Sequence, residues 1–196
     1  MFTNSLTHKS DEELAKLTRD WDKTAFEMIY ERWKDKTYSY LRNLLNYNKT
    51  DTDTVATDTF IKLFEYIKKQ PVENVKSLIY RIAHNTAIDH IRSKQSENIN
   101  DFQDEKVEII HDHHDTQKKE NINSKYKQEI IQQFLSKLDT QSRDILYLYY
   151  QEEKSYDEIA IIHESNKNTV WTAIFNAKKK LQDMLSRAGL ENIIEL

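Results

Sequence analysis

Residues Val75–Lys94 read VKSLIYRIAHNTAIDHIRSK. At 100° per residue, Ile79, Ile82, Ala83, Thr86 and Ala87 fall on one side, which is the buried stripe of an amphipathic helix. Arg81, His84, Asn85, Ile88 and Arg92 gather within roughly a third of a turn on the other side. Guanidinium, imidazole and amide donors on one exposed face suit phosphates and base edges. The same strip fits equally well the solvated back of a structural helix.

Composition places that helix among other helices. The chain has 196 residues with one glycine and one proline, so hairpins and tight turns are scarce and the expected fold is all-α. A single glycine also excludes glycine-rich phosphate loops. Cysteine is absent, which excludes disulfides and thiolate sites. No apolar run reaches a membrane span and MFTNSLTHKSDEEL lacks a signal-peptide profile, so the expected localisation is cytoplasmic, with no membrane association. The formal charge is −4, whereas a protein that binds nucleic acid unaided carries a basic excess. Residues 1–95 hold 16 Lys and Arg against 14 Asp and Glu, leaving −6 for the remainder.

Working outward, Ser10 before DEEL signals a helix start, and Ala25, Phe26, Ile29, Tyr30, Trp33, Thr37, Leu41, Leu44 and Leu45 form the stripe of a longer helix after Asp22. Its aromatics read as core. NYNKTDTD is turn-like, with Asp51 or Asp53 capping a helix whose buried side is Val55, Ala56, Thr59, Phe60, Leu63, Phe64 and Ile67. Gln70-Pro71-Val72-Glu73 closes it and opens the Val75 helix. A first helical domain thus spans residues 8–95. Residues 96–124 hold 8 acids against 3 lysines and too few apolar residues for a core, and read as a flexible acidic linker. Within them HDHHD (111–115) carries three imidazoles and two carboxylates, but adjacent residues rarely close a tetrahedral metal site; a solvated linker is preferred, and no metal, cofactor or catalytic residue is expected. Apolar periodicity returns from Tyr126 through Ile130, Ile131, Phe134, Leu135 and Leu138, and a second helical domain covers 125–187.

RIAHNTAIDHIR resembles the DNA-melting, minus-ten-reading helix of sigma-70 family initiation factors of the extracytoplasmic-function (ECF) type. Tyr80, Arg81, Ile82, Ala83, Asn85, Ala87, Asp89 and Arg92 match, while Leu78 stands where Trp is common and His84 where Arg is common. DKTAFEMIYERW (22–33) is similar to the family's opening helix. DTDTVATDTFIKLF (51–64) resembles its polymerase-clamping segment D-A-E-D-L-V-Q-E-V-F, with Thr54 and Thr57 as departures. LSKLDTQSRDILYLYYQEEKSYDEIA (135–160) resembles the opening of the family's region 4, L-x-x-L-x-x-x-x-R-x-V-x-x-L-x-Y-x-E-G-x-S-Y-x-E-I-A.

The resemblance implies two small helical domains, a region 2 bundle and a region 4 helix-turn-helix, and a factor that brings core RNA polymerase to promoter DNA and opens the minus-ten element without being an enzyme. The implied DNA-binding residues are Arg81, His84, Asn85 and Arg92, supported by Lys76 and Tyr80; Asp53, Asp58 and Phe60 are the implied polymerase contacts. In the region 4 segment His163-Glu164-Ser165 fills a turn that normally carries glycine. The recognition helix runs from about Asn168 to Leu185 with Val170, Ile174, Ala177, Leu181, Met184 and Leu185 buried. Thr172, Asn176, Lys178 and Lys179 are its DNA-binding candidates. Trp171, Ala173 and Asn176 replace basic residues of the family pattern T-V-K-S-R-L-H-R-A-R, and Phe175 replaces His. An exposed Trp171–Phe175 pair suits a protein partner; the alternative is that the helix rolls and buries Trp171 against Tyr149 or Tyr150. The expected partners are core polymerase, promoter DNA, and either an anti-sigma factor or a recruiting protein, DNA-binding or RNA-guided, such as a nuclease-inactive CRISPR effector. The rival function is a stand-alone helix-turn-helix regulator.

Overall fold

A computed structural model describes residues 6–20, 22–98 and 130–190. Every regular element among them is a helix: α1 (Asp11–Arg19), α2 (Lys23–Leu44), α3 (Lys49–Lys69), α4 (Val75–Asn98), α5 (130–136), α6 (Thr140–Tyr150), α7 (Tyr156–Ile162) and α8 (Lys167–Arg187). The chain divides into two compact units. One holds α1–α4; the other holds α5, α6, α8 and the first turn of α7. The expected linker falls largely on residues outside the described ones, as do HDHHD and Tyr126.

In the first unit α3 packs on both α2 and α4, and α1 lies across the set. Ser10 and Glu13 form a reciprocal capping box at the start of α1. Asp11 then accepts from Arg32 Nη1 at 2.8 Å and from Trp33 Nε1 at 2.7 Å, while Glu12 Oε1 accepts from the Val75 amide at 3.3 Å. Lys68 Nζ donates to the Arg19 carbonyl at 2.8 Å, a cation at the negative end of α1. One short helix is thereby tied to the other three. Leu14, Ile29, Leu41, Leu63, Ile67 and Ile79 make the core, each burial contributing about 1.5–3 kcal/mol.

Three local expectations change. The cap of α3 is Asn48, whose Oδ1 accepts from the Asp51 amide at 3.0 Å, so Asp51 lies inside the first turn. Asn74 caps α4, accepting from the Ser77 amide at 2.8 Å. Phe26 is only half-buried and Tyr30 is exposed, although both lie on the apolar side of α2. A stripe on a long helix is wider than the neighbours that cover it, and here α3 leaves that edge open.

In the second unit α6 packs on α8. Asp139 caps α6, and Asn166 caps α8 by accepting from the Thr169 amide at 2.9 Å. Ile145, Leu148, Ile159, Val170, Ile174 and Leu181 are its buried residues, with Met184 half-buried. The turn after α7, whose residues 160–165 group with the first unit, is made without glycine. Ser165 N donates to Ala160 O at 2.9 Å and Glu164 N to Ile161 O at 3.4 Å, with Glu164 at φ 48°. This is a Schellman ending in which glutamate takes the left-handed position. Glu153, which stands at the glycine of the family's Y-x-E-G-x-S pattern, does the same at φ 49°.

Candidate functional site

The core face of α4 is buried through Val75, Leu78, Ile79, Ala83, Thr86 and Ala87, which turns its opposite side outward. Asn85 and Arg92 are exposed there, with Arg81, His84 and Ile88 half-buried among them, whereas Lys76, exposed at the helix start, lies about 140° round from this strip. The guanidinium of Arg81 lies 5.9 Å from the centre of the Tyr66 ring and 3.5 Å from its hydroxyl, so its charge is held in place from α3. His84 Nδ1 is 3.4 Å from the Tyr40 hydroxyl. The strip therefore combines side chains braced from behind with an exposed guanidinium, Arg92, and an exposed amide, Asn85, whose Nδ2 donates to Glu164 Oε1 at 3.4 Å.

Tyr80 requires a correction. It is 1% exposed, with its ring 5.2 Å from that of Tyr40 and 6.3 Å from that of Trp33. At one residue before Arg81 it is turned by 100° towards the bundle, so it supports the strip from within and cannot itself touch a strand. At the far end of α4, His90 Nε2 and Lys94 Nζ both bind Asp51 Oδ1, at 3.0 and 2.6 Å. Burial works to raise the Asp51 carboxyl, but Lys94 and His90 outweigh it and hold it below the usual carboxylate range. His90 and Lys94 are thus engaged within the fold, whereas Arg92 is exposed.

A second feature lies between α2 and α3, a groove of about 830 Å³ walled by Phe26, Tyr30, Phe60, Ile61 and Phe64. Tyr30 meets Phe60 edge-on at 4.8 Å, and Phe26 meets Phe64 at 5.0 Å. Asp53 borders the groove and accepts from the Tyr38 hydroxyl at 2.9 Å. Of the three residues expected to act together, Phe60 is 7% exposed and forms the floor. Asp58 is exposed but turned about 140° from Asp53, away from the groove. Ile61, 53% exposed, was missed from the sequence. Its signal was an apolar residue outside the buried stripe.

On α8, Thr172, Asn176 and Lys179 are exposed, and Asn168, Thr169, Thr172, Ala173 and Asn176 line a shallow notch. The Thr172 hydroxyl donates to the Asn168 carbonyl at 2.9 Å. The lysine run is divided. Lys178 lies 5.4 Å from the Tyr150 ring centre, and the Tyr150 hydroxyl above all raises its pKa; Lys180 binds Asp139 Oδ2 at 2.7 Å. Lys178 is half-buried in this way, which corrects its place among outward DNA contacts. For Asp139, burial acts upward, but Lys180 and Ser142 together hold the carboxyl at about 2. Trp171 and Phe175 are each 55% exposed, with rings 5.8 Å apart and 13° from parallel. Trp171 does not roll inward: Tyr149 packs instead on Tyr150 and Tyr156.

Two family patterns match the chain, Sigma-70 region 2 over residues 29–97 and Sigma-70, region 4 over residues 128–181. The RNA polymerase sigma factor SigV of Bacillus subtilis (strain 168) is 30% identical over 155 residues, covering 78% of this chain and 84% of SigV. ECF RNA polymerase sigma factor SigW of the same organism is 28% identical, covering 87% of this chain and 94% of its own. Among solved structures, CnrH in complex with the cytosolic domain of CnrY superposes with a TM-score of 0.65 at 20% identity, over 91% of this chain and 99% of that one. The sigma factor RpoE in complex with the anti-sigma factor NepR, from Bartonella quintana, gives 0.65 at 18% identity, over 82% and 96%.

Proposed function

The chain belongs to the ECF group of the sigma-70 family, and on that premise we propose how its surfaces divide the work of starting transcription. Residues 8–95 act as region 2 and residues 125–187 as region 4. The groove floored by Phe60 and bordered by Asp53 receives core RNA polymerase in the cytoplasm, with Asp58 a weaker contributor on another side of α3. Arg81, His84, Asn85 and Arg92 capture the minus-ten strand as it leaves the stack, and Lys76 holds phosphate at the start of α4. No group needs to make or break a covalent bond. Opening duplex costs about 1.4 kcal/mol per base-pair step, and binding the separated strand preferentially offsets part of that.

The observation that carries this reading is the α4 strip: an exposed amide and guanidinium beside an arginine and a histidine that Tyr66 and Tyr40 hold in position. The net charge of −4 supports delivery by a larger enzyme. In region 4, Trp171, Ala173, Phe175 and Asn176 stand where the family pattern is basic or imidazole, Lys178 is drawn aside over the Tyr150 ring, and Lys180 is paired with Asp139. Each missing phosphate contact lowers salt-dependent affinity by about one charge. Targeting is therefore shared with a protein that reaches Trp171 and Phe175, either a DNA-binding recruiter or an RNA-guided one such as a nuclease-inactive CRISPR effector. An anti-sigma factor that covers the region 2 surface provides the means of restraint.

Single-round transcription with purified core polymerase and a supercoiled template tests the central claim. Defined transcripts that depend on this protein are expected. Failure to co-migrate with core enzyme at low salt, or co-migration without strand opening by permanganate footprinting, would overturn it.

A further inference from the structure

The outward surface of α8 is chemically two surfaces. At 100° per residue Trp171 and Phe175 point in nearly the same direction, with Lys178 and Gln182 continuing that row down the helix. Thr169, Thr172, Ala173 and Asn176 centre about 130° away, around the polar notch. The two rings, stacked near-parallel, form one apolar plate that is largely open: each is 55% exposed, whereas Ile174 beside them is 3% exposed. Below the plate the Lys178 ammonium is held against Tyr150, itself 40% exposed, so aromatic surface and positive charge continue together. Lys179 next to it is an exposed cation, and no carboxylate lies in the row. Asp183 is turned about 120° from Trp171, and Asp157 is paired with Lys167 at 2.8 Å.

We propose that this shoulder of α8 receives an acidic amphipathic helix of a partner protein, one with an aliphatic stripe against Trp171–Phe175 and carboxylates against Lys178 and Lys179, while the notch side of the same helix stays open to DNA. This rests on the reading that targeting is shared with a protein, and it names that partner's chemistry. A basic or nucleic-acid-like partner is disfavoured on different grounds. Lysines would repel the former, and the latter would be better served by cations spread along the plate than by two at one end. Aromatic anchors at i and i+4 followed by a charge at i+7 match the spacing with which one helix grips another surface.

The probe is a fluorescein-labelled 18-residue helical peptide with leucine at i, i+3, i+4 and i+7 flanked by glutamate, compared with lysine-flanked and glutamine-flanked versions, all titrated with the full chain. The glutamate peptide is expected to bind best and to weaken as salt rises. The double variant Trp171→Ala/Phe175→Ala should bind it at least tenfold more weakly with unchanged melting, because neither ring reaches the core; Thr172→Ala/Asn176→Ala should bind it as the parent does. Equal binding of the lysine peptide, or undiminished binding by the aromatic double variant, overturns the proposal. So does displacement of the peptide by a 20-nucleotide single strand, or a dimer in sedimentation velocity that the double variant abolishes. The parent reading fails separately, if core polymerase and this chain alone yield transcripts governed by the minus-thirty-five sequence.

Discussion

Replacing Tyr80 separates a residue that touches DNA from one that holds the DNA-facing helix in place. Its side chain is 1% exposed and packs edge-on against both Trp33 and Tyr40. Truncation to alanine removes a fully buried ring, which costs about 3–5 kcal/mol. A helical unit of this size has a net stability of only about 5–13 kcal/mol, so Tyr80→Ala removes a large share of it. Tyr80→Phe keeps the ring and both edge-on contacts and loses at most about 1 kcal/mol for the hydroxyl, or about 4–8 °C in melting temperature. Promoter opening, followed by permanganate reactivity and normalised to folded protein, should stay within about twofold of the parent for Tyr80→Phe. Tyr80→Ala should also displace Tyr40, whose hydroxyl lies 3.4 Å from His84 Nδ1, and so disturb the strip indirectly. If Tyr80→Phe kept its melting temperature yet opened promoters tenfold less well, the hydroxyl would have to reach DNA in the complex, and the assignment of Tyr80 to the core would be wrong.

Asn85→Ala should weaken capture of the matching minus-ten strand by about 1–3 kcal/mol in competition binding, and Arg92→Gln should lower the salt slope of holoenzyme–promoter binding by about one. At Asp139, the carboxyl held at about 2 contributes stability that is complete above the ordinary carboxylate pKa and disappears as pH falls through about 2. Because that side chain is 51% exposed, the contribution is discounted to about 1 kcal/mol. Urea titrations followed by α6 amide resonances should show Asp139→Asn, which keeps a capping oxygen, losing less than Asp139→Ala, with the gap between parent and Asp139→Ala narrowing between pH 4 and pH 2. Glu153→Gly should raise the melting temperature of the second unit. Relief of the left-handed φ of 49° is worth about 1–2 kcal/mol, against about 0.4–1 kcal/mol of added unfolded-chain entropy.

Much of this protein was legible in one dimension because helices are local. A period of 3.6 residues set the stripes of α2, α3, α4 and α8, and Ser10, Asp22 and the scarcity of glycine and proline marked ends and class. The same period placed Arg81, His84, Asn85 and Arg92 on one side of α4, and Trp171 with Phe175 on α8. Periodicity gives the direction in which a side chain points. It does not say how far a neighbouring helix extends to meet it. That depended on packing, which sealed Tyr80 between two rings and left Phe26 and Tyr30 on the wall of an open groove. Packing also spent Lys180 and Lys94 on Asp139 and Asp51, because a long cationic side chain binds whichever partner a distant part of the chain brings within reach. The sequence by itself determined the helices, their faces and the family they resemble; only the tertiary structure decided which of the residues on those faces remained available to another molecule.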